Sequence, residues 1–190
     1  MCSSDLLVTG SPLAAGAKVV VQATETVAGV IATSGGSLDL TDLSPLYNDK
    51  NFIRGFINAA NGTYGGTARY FTSLVTVYGG PSFAGPRSFG TKGPFAAISI
   101  VGDSPGINGG RLGQKGGVLV DASYISGNAL SGTSTYSGQT FLSMGLTPGE
   151  YEWTWGVNNR DSYKLIIGST PVPGPCLFWG SPQPSSSAAS

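Results

Sequence analysis

The sequence predicts an all-β fold: a single β-sandwich or jelly-roll-like domain with Gly-rich loops. Glycine (30 residues) and proline (12) together make 42 of 190 residues, yet 40% of the chain is hydrophobic, too much for a disordered polymer. Long helical periodicity is absent, because glycine, proline or a Ser/Thr cluster interrupts nearly every window of about a dozen residues. Short β-rich runs recur between turn residues instead. A chain of 190 residues is long enough for one domain with a sizeable core and too short for two large ones. This reading gives a non-native or disordered leader over 1–16, the sandwich over 17–169, and a Pro/Ser-rich tail over 170–190.

Ten runs are expected as strands. The valine-rich 18–24 and 27–33 come first, followed by 37–40, 68–78 and 95–101. Next are 118–125, 132–136 and 140–142, and finally 151–155 and 162–167. In 151–155, strict alternation puts Tyr151, Trp153 and Trp155 on one face, with Glu152 and Thr154 on the other. This strand is therefore half buried. A turn at 146–149 precedes it and a loop at 158–161 follows, so 162–167 is expected to return as its hairpin partner. Over 48–66 the spacing of Phe52, Ile53, Phe56 and Ile57 would instead suit one or two helical turns.

Charge and composition exclude several functions. Ten Lys+Arg balance ten Asp+Glu, and charged residues make up 11% of the chain against about 25% in an ordinary soluble domain. This is no nucleic-acid footprint. The absence of histidine removes Ser-His hydrolase chemistry and His-based zinc sites. No run reaches the roughly 18 apolar residues of a membrane-spanning helix, and no signal peptide opens the chain.

The individual motifs read mostly as structure. The G-D-S-P-G string around Ser104 looks like a serine-enzyme motif, but with no histidine to take its proton it reads as a turn. Glu150 and Glu152 share a strand face and so cannot flank a substrate between them. Asp39, Asp42 and Asp49 carry oxygen ligands that suit calcium but lack the loop pattern that would hold it. No metal or cofactor is expected. The Gly-rich stretch 106–117, with Arg111 and Lys115, lacks the order of a phosphate-binding loop. Asn61-Gly62-Thr63 fits a glycosylation acceptor but reads as a turn. Tyr151, Trp153 and Trp155 are the candidate glycan-stacking strip, weighed against the stronger expectation that they fill the core.

The ends read differently. Residues 1–6 can be back-translated to a string that resembles the end of a common sequencing adapter, which predicts a missing native N-terminus. Residues 176–190 can be encoded by a string that, shifted by one base, reads L-P-L-L-G-L-A-P-A-F-F-V-S-R-L, an apolar segment reaching an arginine. A frameshift near Pro175 is the expectation. Cys2 and Cys176 lie in these two end segments, so no native disulfide is expected.

Between the ends, four stretches carry a resemblance. They are Y-I-S-G-N-A-L-S-G-T-S-T-Y over 124–136, T-F-L-S-M-G-L-T-P-G-E-Y-E-W-T-W-G over 140–156, D-S-Y-K-L-I-I-G over 161–168, and Val172-Pro173-Gly174-Pro175. S-L-D-L-T-D-L over 37–43 adds a weaker match. Together they resemble the small, Gly-rich, exported bacterial proteins, cyanobacterial in style, that carry a PEP-CTERM-type sorting signal of the V-P-G-P-L-P-L-L-G variant. The resemblance spans about 17–175 and is dense only after about residue 120. It implies an exported precursor whose Pro motif, apolar helix and basic tip are recognised by an exosortase-type membrane enzyme. Val172, Pro173, Gly174 and Pro175 would be the sorting motif, and the membrane would be met only transiently, through a helix missing here. The implied function is non-enzymatic, at the cell surface or in the extracellular matrix, with extracellular polysaccharide as a possible partner. A carbohydrate-binding or adhesive module is the alternative, and an extracellular hydrolase the third reading.

Overall fold

The computed structural model describes residues 16–49, 55–66, 75–110 and 115–168. In chain order the strands begin with β1 (Lys18–Thr26), β2 (Gly29–Ser37), β3 (Ser44–Asp49) and β4 (Phe56–Asn58). They continue with β5 (Thr63–Tyr64), β6 (Val75–Gly79), β7 (Phe95–Ala96), β8 (Ser99–Asp103) and β9 (Gly106–Asn108). Last come β10 (Gly117–Asp121), β11 (Ala129–Ser137), β12 (Gly149–Trp155) and β13 (Asp161–Ile167). One helical turn, α1 (Phe141–Met144), precedes β12, and short 3-10 turns cover Ala59–Asn61 and Val157–Asn159.

These strands form two sheets, one of six strands in the order β12-β13-β1-β2-β11-β8 and one of seven in the order β3-β6-β10-β9-β5-β4-β7. The fold is therefore an all-β, sandwich-like domain. β12 and β13 pair antiparallel as expected, with Trp153 opposite Tyr163. β13 then lies parallel to β1, setting Val19 beside Tyr163 and Val21 beside Leu165. A parallel pair needs a long crossover, and here that crossover is nearly the whole domain.

Period-two alternation builds the core. Val19, Val21 and Ala23 of β1 face inward, as do Trp153 and Trp155 of β12 and Tyr163, Leu165 and Ile167 of β13. Ile57, Tyr64, Ile107, Val118 and Val120 meet them from the other sheet. Three buried tyrosines stitch the layers by their hydroxyls. Tyr136 donates to the Gly55 carbonyl at 2.7 Å, Tyr163 donates to the Pro105 carbonyl at 3.3 Å, and Tyr64 pairs with Ser134 Oγ at 3.3 Å. Burial pushes all three phenols above their ordinary ionisation range, because a phenolate there would lose its water.

Several expected elements differ. Residues 140–142 do not form a strand: Thr140 caps α1, its Oγ1 accepting from Ser143 N at 3.0 Å while Ser143 Oγ accepts from Thr140 N at 2.9 Å. Gly145 ends the turn in the left-handed region at φ 62°. Residues 37–40 are no strand beyond Ser37, although Leu38 and Leu40 are buried. Where helical turns were expected over 48–66, the described part holds β4, a 3-10 turn and β5. Phe52 and Ile53 lie outside the described residues, as does most of the 68–78 run, of which β6 is the described portion. The 95–101 run divides into β7 and β8, and β3 and β9 arise where no strand was expected.

Candidate functional site

The free edge of β12 organises the site. Segment 84–91 runs along it: Ala84 and Thr154 exchange backbone hydrogen bonds at 3.0 and 2.9 Å, Thr147 N donates to the Phe89 carbonyl at 3.0 Å, and Thr91 N donates to the Gly145 carbonyl at 2.8 Å. An open sheet edge is thereby covered without a full strand. Trp153 pins the same segment from below, its indole Nε1 donating to the Pro86 carbonyl at 2.9 Å. Phe83 stacks on Trp155, with centroids 6.0 Å apart and planes 23° from parallel.

Glycine is required at the closest approach. A Cβ at Gly85 would overlap the Trp153 indole, and one at Gly116 would lie 2.8 Å from the Asn108 carbonyl oxygen and 3.0 Å from Phe83 Cε1. The loop after β6, the end of β9 and the start of β10 thus converge around a cavity of about 580 Å³ that is half open to solvent. Its walls are Gly80, Pro81, Gly85, Gly109 and Gly116, with Phe83 as the partly exposed aromatic ring and Arg87 and Lys115 as the charged side chains. Trp153 backs the floor without any exposure of its own. Among the described residues no carboxylate lines the cavity, and neither Arg87 nor Lys115 has an ion-pair partner. The volume falls in the range of about 300–1,000 Å³ typical of small-ligand sites.

The candidate glycan strip is corrected by this packing. Trp153 and Trp155 have no solvent exposure, and both indole N–H groups are consumed by backbone carbonyls, Pro86 and Asp39 respectively, each at 2.9 Å. Tyr151 is half-buried with its ring edge on Phe89, and its hydroxyl donates to the Thr147 carbonyl at 2.9 Å. The inward face of an edge strand is the least wet place for a large aromatic, and the core reading holds.

Other sequence candidates are dispersed. Glu150 and Glu152 point to solvent, and Lys164 Nζ bonds Glu150 at 3.0 Å, which raises the ammonium's affinity for its proton. Ser104 is buried and donates to the Pro105 carbonyl at 3.3 Å. Asp39 and Asp42 meet the Arg160 guanidinium at 3.8 and 3.3 Å, and Asp161 meets it at 3.5 Å. Asp39 is held below the ordinary carboxylate range first by the Thr41 hydroxyl, then by the Thr41 amide, with Ser126 and Arg160 adding to it. Among the described residues no group of three or more acids or cysteines is placed to hold a metal ion. Asn61 lies in a 3-10 turn ended by Gly62 in the left-handed region, which fits the turn reading of that tripeptide. Val172, Pro173, Gly174 and Pro175 lie outside the described residues, as do Cys2, Cys176, Arg111 and the Asp49 side chain.

Phe83, Gly85 and Arg87 carried no motif in the sequence. The G-G-P-S-F-A-G-P-R string over 79–87 holds the usable signal, a lone aromatic between two Gly-Pro turns with a cation just after the second. Comparison with protein-family models, curated proteins and solved structures finds no match to this chain.

Proposed function

We propose that the chain is a non-enzymatic protein exported to the bacterial cell surface or extracellular matrix, with delivery through a PEP-CTERM-type signal read by an exosortase-type membrane enzyme. The observation that carries the reading is the L-T-P-G-E-Y-E-W-T-W-G string over 146–156 followed by V-P-G-P over 172–175. The position of the motif in the chain supports it: the last described strand ends at Ile167, and Val172 follows it in the sequence. The absence of an enzymatic role is supported by the exposed, same-face placement of Glu150 and Glu152 and the burial of Ser104. A second reading, a saccharide-binding or adhesive module, is favoured by the cavity at Phe83, Arg87 and Lys115.

The test uses the uninterrupted gene from the source DNA, expressed in a bacterium with an exosortase-type enzyme. The product is expected in the surface fraction, and to be lost from it when the enzyme is deleted or when Val172 and Pro173 are both replaced by alanine. A gene ending in the same serines, or a distribution indifferent to enzyme and motif, overturns the reading.

A further inference from the structure

We infer that the cavity between the loop after β6 and the ends of β9 and β10 is a binding site for an acidic sugar, a pyranose bearing a carboxylate or a sulfate. The shape, the ring and the charge point the same way. A space of about 580 Å³ is far larger than a single inorganic anion needs and holds one or two sugar rings. Gly85, Gly109 and Gly116 let its walls come together, because a Cβ at Gly85 would strike the Trp153 ring and one at Gly109 or Gly116 would strike the backbone of Pro86 or Asn108. Phe83 packs one face on Trp155 and stays partly exposed, which gives a rigid apolar platform of the kind a sugar's C–H face packs on.

Charge selects the class. Arg87 and Lys115 are both exposed, and among the described residues both lack an acidic partner and line a cavity that holds no carboxylate. A neutral sugar would draw no charge-assisted hydrogen bond from either cation. An anionic group on the ring accepts charge-assisted hydrogen bonds from them, the guanidinium offering a two-pronged contact and the ammonium a point charge. A nucleic acid fits less well, because its affinity rests on an extended run of cations and this chain balances ten against ten. The inference does not depend on export, so failure of the sorting test leaves it standing.

Calorimetric titration of the full chain tests it with four probes: an alginate oligosaccharide, a dextran sulfate fragment, neutral dextran of equal length, and a single-stranded oligonucleotide. Binding is expected to the first or second, to weaken with added salt, and to be absent with neutral dextran. The stronger of the two acidic probes identifies carboxylate or sulfate as the group read. Arg87→Ala and Lys115→Ala are each expected to weaken binding about tenfold. Tm should not change, since both side chains are exposed, and Lys18→Ala on the exposed face of β1 should bind as the parent does. No binding to either acidic probe, equal binding of neutral dextran, tighter binding of the oligonucleotide, or binding indifferent to both replacements overturns the assignment.

Discussion

Replacing Trp153 separates a core role from a ligand-binding role on β12. The side chain has no solvent exposure, packs edge-to-face on Tyr163 at 5.9 Å and 78° and on Phe89 at 6.5 Å and 88°, and donates to the Pro86 carbonyl at 2.9 Å. Truncating a buried tryptophan to alanine costs about 3–5 kcal/mol. The two ring contacts and the Pro86 carbonyl left without its donor place Trp153→Ala at the upper end, about 5 kcal/mol. Against a total stability of about 5–15 kcal/mol for a domain, that removes a third or more of it, and at the lower end leaves little folded protein. Trp153→Phe keeps a ring in place but loses the indole N–H and part of the bicycle, for about 2–3 kcal/mol by the hydrogen-bond and cavity costs. Urea unfolding followed by far-ultraviolet circular dichroism measures the loss, with an unchanged m value showing that the unfolded state is the same. The Phe variant gives a number even where the Ala variant does not fold. If Trp153→Ala stays within about 1 kcal/mol of the parent, the core assignment fails, because no buried tryptophan can be removed so cheaply.

Other consequences are equally direct. Thr140→Ala removes the cap of α1 and is expected to cost about 1 kcal/mol, a Tm drop of about 2–4 °C that Thr140→Ser restores. Tyr64, Tyr136 and Tyr163 are each raised above 10.0 by burial, so the stability they contribute is full below pH 10.0 and is lost as pH rises through their folded values. Tyrosinate absorbance should therefore appear in two steps, the second coinciding with loss of circular dichroism; a single smooth titration of all tyrosines would refute their burial. Asp39 has the opposite sign. Its lowered pKa contributes stability above the unfolded value near 3.8 that disappears as pH falls through the folded value. An NMR titration should show Thr41→Val raising the Asp39 pKa more than Arg160→Ala does, because the Thr41 hydroxyl is the larger cause.

What the chain reveals of its fold depends on whether the stabilising partner is near in sequence. β12 and β13 are legible because Tyr151, Trp153 and Trp155 alternate with polar residues and the turn and loop residues sit beside them. Residues 37–40 look like a strand, with Leu38 and Leu40 buried. Yet their amides are satisfied by side chains 86 residues away, Leu38 N by Tyr124 Oη at 3.0 Å and Leu40 N by Ser126 Oγ at 2.9 Å. No local pattern announces such a partner. The apolar Phe141 and Leu142 suggest a strand until the reciprocal Thr140–Ser143 bonds and left-handed Gly145 are weighed, and these convert the same residues into a capped turn. β3 is hidden in the sequence because Pro45 lies inside it, tolerable there because β3 is the outermost described strand of its sheet and its register shifts between Pro45 and Tyr47. The cavity was illegible for the same reason as 37–40. Phe83 and Arg87 meet Lys115 and Gly116 only because β6 and β9 both pair with β10.

The scarcity of charge gives the cavity its character. In an ordinary domain two exposed cations would sit among many ions of both signs and their field would be lost within about a Debye length. Here 11% of residues are charged, and a share of the acids is already engaged: Asp39, Asp42 and Asp161 around Arg160, and Glu150 on Lys164. Those pairs sit at the β12–β13 loop and on the outer face of that hairpin, where they hold structure together and neutralise each other. Arg87 and Lys115 have no such neighbour among the described residues, and the walls beside them are largely glycine, proline and aromatic carbon, which bring no opposing charge. A low-charge sequence therefore strengthens the attraction of this one cavity for an anion, because so little nearby charge opposes it.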